Sequence, residues 1–286
     1  MPVLAIDLGG TKLATAVVSE GGEILAFRKD TVRKSSPEDT IEQIASEAEA
    51  VVRECGVPVA GAGLIVPGIA DPKRGAWAPN LWGDADVALA APLGRRIGVP
   101  LTVESDRTGY VIGEHWLGIS RGCSDVLFVA VGTGIGVGIL AGGEVVRGVG
   151  GAAGAAGWMM LRGEGSGCWE SEASGPAIAR AAGRGSAEEV IAAAAAGDDK
   201  CCGILSNAAG VLGMGVANLV SLFNPEMVVL GGGLMQAADV FLEPIRDGVR
   251  KWGNPRAVRQ VRIELSVLGD KAGLFGAARL ALNEFL

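Results

Sequence analysis

Residues 3–25 read VLAIDLGGTKLATAVVSEGGEIL, and residues 126–146 read VLFVAVGTGIGVGILAGGEVV. Each is an apolar strand, a turn of Gly and Thr, a second apolar strand, a Gly-Gly turn and a short third strand. Gly9 of the first falls opposite Gly132 of the second, and the third strands align once the later copy's second turn is shortened by two residues. Two unrelated Gly-rich hairpins would not need to agree in strand, turn and strand length together, so duplication is favoured over convergence. A chain of 286 residues has room for two modest lobes of this kind.

Outward from the hairpins, residues 37–55 have helical periodicity with Pro37 in the first turn, and 59–66 read as a strand ended by Pro67-Gly68. Residues 99–104 read as a strand and 106–117 as the helix after it; 168–182 and 204–223 read as helices. The strand 227–230 runs into Gly231-Gly232-Gly233, followed by a helix at 239–252, a strand at 261–268 and a final helix at 270–284. After an initial run of strands, strands and helices alternate in each half. That predicts an α/β fold of two lobes with mixed sheets and a cleft between them. The expected division is 1–115, joined by the C-terminal helix at 271–286, and 116–270. No low-complexity linker separates the halves, and the crossover falls near 113–124.

Composition narrows the class. Apolar residues make up 49% of the chain, enough for a substantial core, and the 46 glycines show no G-X-Y period. The net charge of −7 argues against a general nucleic-acid binder, which presents a basic face. Apolar runs are strand-sized, so no membrane partner is expected. MPVLAIDLGG lacks a basic leader and a cleavage site, so no signal peptide is expected. Cys55, Cys123, Cys168, Cys201 and Cys202 are an odd set without framework spacing, and read as reduced thiols in a cytoplasmic enzyme.

The turns carry the chemistry. In Asp7-Leu8-Gly9-Gly10-Thr11-Lys12, backbone N–H groups can converge into a nest for anionic oxygens. Thr11 adds a hydroxyl, Lys12 a charge, and Asp7 can hold Mg²⁺ through water. An ordinary hairpin with an exposed Lys fits this stretch nearly as well. The second turn, Gly132-Thr133-Gly134-Ile135-Gly136, repeats the device. The pair together suits the β- and γ-phosphates of ATP gripped from both lobes, and hence phosphoryl transfer. Neither a Walker A sequence nor a GxGxxG opening a crossover helix is present. Gly231–Gly233 can pass beneath an adenosine, or be a plain strand-to-helix turn. Asp106 ends a strand and begins a helix, where a carboxylate can take a proton from an alcohol. Alone, that stretch reads rather as a helix cap by Ser105 or Asp106.

The segments AIDLGGTKLATAVV, VPGIAD, APNLWG, VESD, GTGIGVGI, RGVGGAAG, GCWESEASG, LGGGL and LGDKAGLFGAA span the chain in order. With them the sequence resembles the ROK family (repressors, open reading frames and sugar kinases) of the actin/hexokinase-like superfamily. The resemblance implies two duplicated, ribonuclease H-like lobes with nucleotide and substrate in the cleft. It implies ATP-dependent transfer to a sugar hydroxyl, glucokinase-like, on a hexose or amino sugar. ATP phosphates would bind at Asp7, Gly9, Gly10, Thr11, Lys12, Gly132, Thr133 and Gly134, and adenosine at Gly231, Gly232 and Gly233. Asp106 matches the catalytic aspartate that deprotonates the sugar. Asn80 and Glu170 match substrate contacts, with the Gly68 backbone, Ser105 and Trp158 at the same site. Mg²⁺ would arrive with ATP, a homodimer is the expected assembly, and neither nucleic acid nor membrane is an expected partner.

Departures bear on the substrate. Ser105 stands where family kinases carry Asn before the catalytic Asp, and Gly154-Ala155-Ala156-Gly157-Trp158 stands where they carry GE-x-GH. Ala155 and Trp158 thereby remove a Glu and a His that contact the sugar, the His also binding zinc. The three-cysteine zinc loop is reduced to Cys168 in LRGEGSGCWE, so no zinc is expected. Trp158 is expected to fill the vacated space rather than stack on substrate. Recognition of glucose in the usual family manner is weakened, leaving another hexose, an amino sugar or a polyol. The alternatives are a sugar-sensing regulator, disfavoured because the sequence starts at its first strand with no helix-turn-helix ahead, and an ATPase or polyphosphate-dependent kinase.

Other residues have plain readings. His115 reads as exposed or capping, Met159-Met160 as core, Glu164 as a solvated loop acid that can alternatively replace a lost sugar contact, and 192–196 as a helix former. Trp77 and Trp82, flanking Asn80, can border the substrate as a platform. Asp270 reads as the cap of the last helix.

Overall fold

The structure is a computed structural model and describes residues 1–33, 36–163 and 167–286. The chain forms two compact units, one of Met1–Gly122, Val145–Ala153 and Val267–Leu286, the other of Cys123–Glu144 and Gly154–Ser266.

The first unit opens with β1 (Val3–Leu8), β2 (Lys12–Val18), β3 (Ile24–Thr31), α1 (Pro37–Cys55) and β4 (Ala62–Val66). A small three-stranded sheet follows, β5 (Ile69–Asp71), β6 (Gly75–Trp77) and β7 (Asp86–Val87), with α2 (Pro79–Trp82) inserted. Then come α3 (Ala90–Ile97), β8 (Leu101–Ser105) and α4 (Asp106–Leu117). The second unit holds β9 (Val126–Val131), β10 (Ile135–Ala141), β11 (Glu144–Val145, at the unit boundary), α5 (Trp169–Ala173), α6 (Gly175–Ala182), α7 (Ala187–Ala195) and α8 (Asp199–Phe223). It closes with β12 (Met227–Gly231), α9 (Ala238–Trp252), α10 (Pro255–Val258) and β13 (Arg262–Leu265), after which α11 (Ala272–Phe285) returns to the first unit.

The two main sheets have the same plan. Their strand orders are β3-β2-β1-β4-β8 and β11-β10-β9-β12-β13. β1 pairs antiparallel with β2 from Val3↔Val18 to Leu8↔Leu13, and β9 with β10 from Val126↔Leu140 to Val131↔Ile135. Each first strand then runs parallel to its other neighbour, β4 or β12. The duplication read from the hairpins therefore holds for both whole sheets.

β1 is covered on both faces, which is why it reads as a continuous apolar run. Leu4, Ile6 and Leu8 pack with Ile44, Ala45, Ala48 and Val51 of α1, while Val3 and Ala5 pack with Leu274, Ala277, Ala278 and Ala281 of α11. The two-residue strand period thus sends Asp7 to the α11 side. Contact there is backbone to backbone: a Cβ on Gly63 would fall on the carbonyl oxygen of Ala277, and one on Gly276 on that of Gly109.

Several boundaries differ from the sequence reading. The helix expected over 168–182 is broken at Ser174, whose extended backbone (ψ 165°) and hydroxyl cap α6 by accepting from Ala177 N. α8 starts at Asp199 rather than 204 because Asp198 accepts from Cys201 N and caps it. That helix is long and apolar enough, by length and composition, to cross a membrane, contrary to the expectation that apolar runs are strand-sized. Its apolarity serves the second unit's core, where Leu205, Ala208, Val211, Leu212, Val216 and Val220 are buried. The five cysteines form no disulfide.

Candidate functional site

In the first unit, Asp7 ends one side of the turn Gly9-Gly10-Thr11. Gly9 N–H donates to Lys12 O at 2.8 Å. Among the described residues, no hydrogen bond within the chain uses the amides of Gly10 or Thr11, and a Cβ on Gly10 would meet nothing within 4 Å. Two donors and a clear approach remain for an anionic oxygen.

Asp7 is half-buried, and its carboxylate lies against Gly273 at the start of α11. Its pKa is raised to about 7, chiefly by burial, then by the charges of Asp106 and Asp270, with Lys29 opposing. Asp270 is not a helix cap: the cap position of α11 is Lys271, without a side-chain bond. Asp270 instead reaches back to the turn, with its Oδ2 3.3 Å from Lys29 Nζ and 3.9 Å from Lys12 Nζ.

Asp106 opens α4 at the carboxyl end of β8. The capping alternative is not realised, because Ser105 donates its hydroxyl to Gly68 O at 2.7 Å. Asp106 Oδ1 accepts from the amide of Arg107 at 2.7 Å. Burial raises the Asp106 pKa to about 6, against the Arg107 charge, the Arg107 amide and the Ser105 hydroxyl, which lower it. Tyr110, about one turn along α4, has its phenol pushed well above its ordinary value by burial and by Asp106, Asp7 and Asp270. Three aspartates from β1, α4 and the turn before α11 thus share one electrostatic neighbourhood.

Gly68 sits at φ 97°, and a Cβ there would strike the carbonyl of Trp77. Asn80 is exposed on α2. The flanking indoles are both tied through N–H, Trp77 to Asp84 Oδ1 at 3.0 Å and Trp82 to Thr40 Oγ1 at 3.3 Å. Trp82 packs on the first core. His115 is half-buried in the last turn of α4.

The second unit repeats the turn. Gly132 N–H donates to Gly134 O at 2.9 Å, Gly132 O accepts from Gly175 N at 2.9 Å, and among the described residues the amides of Thr133 and Gly134 have no partner in the chain. Glu170 on α5 accepts from Ile135 N at 2.9 Å through Oε2 and lies against Gly134 and Gly157. It braces the turn from beneath. Gly233 neighbours this turn, its amide nitrogen 3.7 Å from where a Gly132 Cβ would stand, and Gly232, at φ 89°, passes tight over Val131.

Trp158 does not fill the vacated space: it is 73% exposed. Trp158 ends a 3-10 turn, Ala156–Trp158, in which it is Gly157, and not the indole, that packs against Ile135 and Glu170. Met160 is likewise 67% exposed, while Met159 packs on the core. Glu164 lies outside the described residues. No group of three or more His, Cys, Asp or Glu could hold a metal ion among the described residues.

Sequence reasoning missed the roles of Asp270, Tyr110, Glu104 and Arg107. A signal existed for Asp270: like Asp106, it follows a strand and precedes a helix in an α/β unit.

Residues 3–284 match the ROK family. The chain is 34% identical to a glucokinase of Streptomyces coelicolor over 313 aligned positions, covering 97% of this chain and 96% of that protein. Among solved structures it is similar to a ROK hexokinase from Thermus thermophilus (34% identity, TM-score 0.84, 99% of each chain). It is also similar to a ROK family glucokinase from Streptomyces griseus in complex with glucose and AMPPNP (31% identity, TM-score 0.85, 99% of this chain and 100% of that one). Duplicated sheets, matched Gly turns and an end-to-end family match lead to one assignment: the chain belongs to the ROK family.

Proposed function

We infer that the chain is an ATP-dependent sugar kinase in which Asp106 is the general base. The observation that carries this reading is Asp106 itself, a carboxyl at a strand's carboxyl end whose pKa is raised to about 6. Such a group is ionised at neutral pH yet basic enough to take a proton from an attacking hydroxyl. The Arg107 amide holds it in place through Oδ1.

The rest of the site supports phosphoryl transfer. Each unit offers a pair of amides, Gly10 and Thr11 or Thr133 and Gly134, that have no partner in the chain among the described residues and are suited to phosphate oxygens. Lys12 and Lys29 supply positive charge beside the first pair. Asp7, Asp106 and Asp270 form no group that could hold a metal ion by themselves, so Mg²⁺ would come bound to the phosphates of ATP, with the Asp7 carboxylate as the hard oxygen donor nearest the first turn. When bound, Mg²⁺ supplies neutralisation of charge on the transferring phosphoryl group. Asp7 would hold it through water. Asp106 takes the acceptor proton while the turn amides hold phosphate oxygens.

The acceptor is a hexose or amino sugar; its candidate contacts are Gly68, Asn80, Ser105 and Asp106 in the first unit, and Glu170 and the open face of Trp158 in the second. With Ala155 and Trp158 in the recognition turn, apolar stacking replaces part of the hydrogen bonding there. The test is ADP release with ATP and a panel of hexoses and amino sugars, alongside Asp106→Asn. Sugar-dependent turnover lost in that variant supports the reading; sugar-independent hydrolysis, or binding without turnover, contradicts it.

A further inference from the structure

We propose that Arg107 is a positioning residue for the transfer: its buried guanidinium ties the carbonyls of Gly68, Gly151 and Ala153 into one bracket that fixes the acceptor against Asp106. The inference rests on the kinase reading above.

Arg107 is only 5% exposed. Burying a guanidinium requires that its donors be matched. Nε donates to Ala153 O at 2.9 Å, Nη1 to Gly68 O at 2.5 Å and Nη2 to Gly151 O at 2.8 Å. Burial lowers the Arg107 pKa, and the carboxylates of Asp106 and Glu104 oppose that shift only in part. The planar fork of Arg can hold three acceptors in fixed directions, which the point charge of a Lys cannot.

What the fork holds is unusual. Residues 145–153 cluster with the first unit, although the chain on either side, 123–144 and 154–266, belongs to the second. Arg147 adds a second tie to this strap, its Nε 2.5 Å from Oε2 of buried Glu104, whose Oε1 accepts from Ser105 N at 2.9 Å. The strap lies on β5 so tightly that a Cβ on Gly151 would strike Ala70 O. Gly68 O meanwhile accepts from both Ser105 Oγ and Arg107 Nη1, which pins the turn that begins β5. Three elements therefore meet on one side chain: the Gly68 turn, the strap and the residue whose amide holds Asp106. An acceptor placed by Gly68 and the strap is registered to the base through Arg107.

The experiment compares Arg107→Met, which keeps the stem and loses every donor, with Arg107→Lys. Acceptor KM, nucleotide KM and kcat are measured on the full chain, with amide hydrogen exchange over 149–153. In Arg107→Met, kcat/KM for the sugar should fall about 100-fold, the scale of a misplacement near 1 Å. Acceptor KM should rise while nucleotide KM stays within about twofold, and exchange over 149–153 should quicken. Arg107→Lys should recover part of kcat but not acceptor KM; if Arg107→Met does not fold, the same split in Arg107→Lys decides. Fold loss alone would lower kcat with both KM values unchanged, and that result overturns the proposal. So do wild-type constants, or unchanged exchange at 149–153, in a folded variant of an active enzyme. A wild type without sugar-dependent turnover removes the kinase reading itself, and this inference with it.

Discussion

Lowering the pH from about 8 to about 5 should reduce kcat/KM roughly tenfold, because a base of pKa about 6 is only about one-eleventh ionised at the lower pH. An ordinary aspartate, with a pKa near 3.9, would remain more than about nine-tenths ionised there, and the rate would barely change. The difference is physical: burial raises the group, and the Arg107 charge, Arg107 amide and Ser105 hydroxyl recover only part of that shift. The sign is fixed by chemistry, since the acceptor proton can be taken only by the carboxylate. Asp7, raised to about 7 in part by the Asp106 charge, protonates before Asp106 does. Asp7→Asn should therefore leave the limb near pH 6, because Asp7 is already neutral where Asp106 titrates. The assay is initial-rate ADP release at saturating ATP and sub-KM sugar, at constant ionic strength. Asp106→Asn should lose about 10²–10⁴-fold at every pH. A flat wild-type profile down to about pH 5, or Asp106→Asn retaining most of its activity, would refute the assignment of the base.

Three further outcomes are expected. The folded pKa of Asp7 lies above its unfolded value, so its stabilising contribution is full below about pH 4 and is lost as pH rises through about 7. Asp7→Asn should therefore stabilise the ligand-free protein by about 1–2 kcal/mol at pH 8, after discounting for partial exposure, and flatten the pH dependence of urea midpoints. Gly63→Ala should cost about 1–3 kcal/mol in the same unfolding assay, because the new methyl meets the α11 backbone and not a side chain that can turn away; an unchanged midpoint would contradict that packing. Asp270→Ala should change stability by less than about 0.5 kcal/mol, as an exposed ion pair does, whereas loss of a true cap would cost about 1 kcal/mol.

The duplicated sheets were legible because each hairpin carries its own register: apolar strand, three-residue turn, apolar strand. Asp106 was legible as a strand-end carboxylate, and Gly9–Thr11 and Gly132–Gly134 as matched turns. Less visible were roles set by distant partners. Asp270 looks like a cap because the residues beside it allow one, while Lys29, its actual partner, lies 241 positions away. Nothing near Arg107 in sequence announces the carbonyls of Gly151 and Ala153. Trp158 misled for a different reason: a large apolar side chain in place of a polar one suggests filling, but the ring is 73% exposed and Gly157 beside it makes the inward contact with Ile135 and Glu170. β5 to β7 are too short, at two or three residues each, to express a period.

The return of α11 to the first unit has a consequence for biosynthesis. Val3, Ala5, Ala14, Ala16 and Ile65 are covered by residues 274–282, which leave the ribosome after everything else they pack with. The second unit, 123–144 and 154–266, is translated whole before that helix emerges. The first unit is thus completed only after the second has been made, and until residues 274–282 emerge one flank of its sheet stays bare.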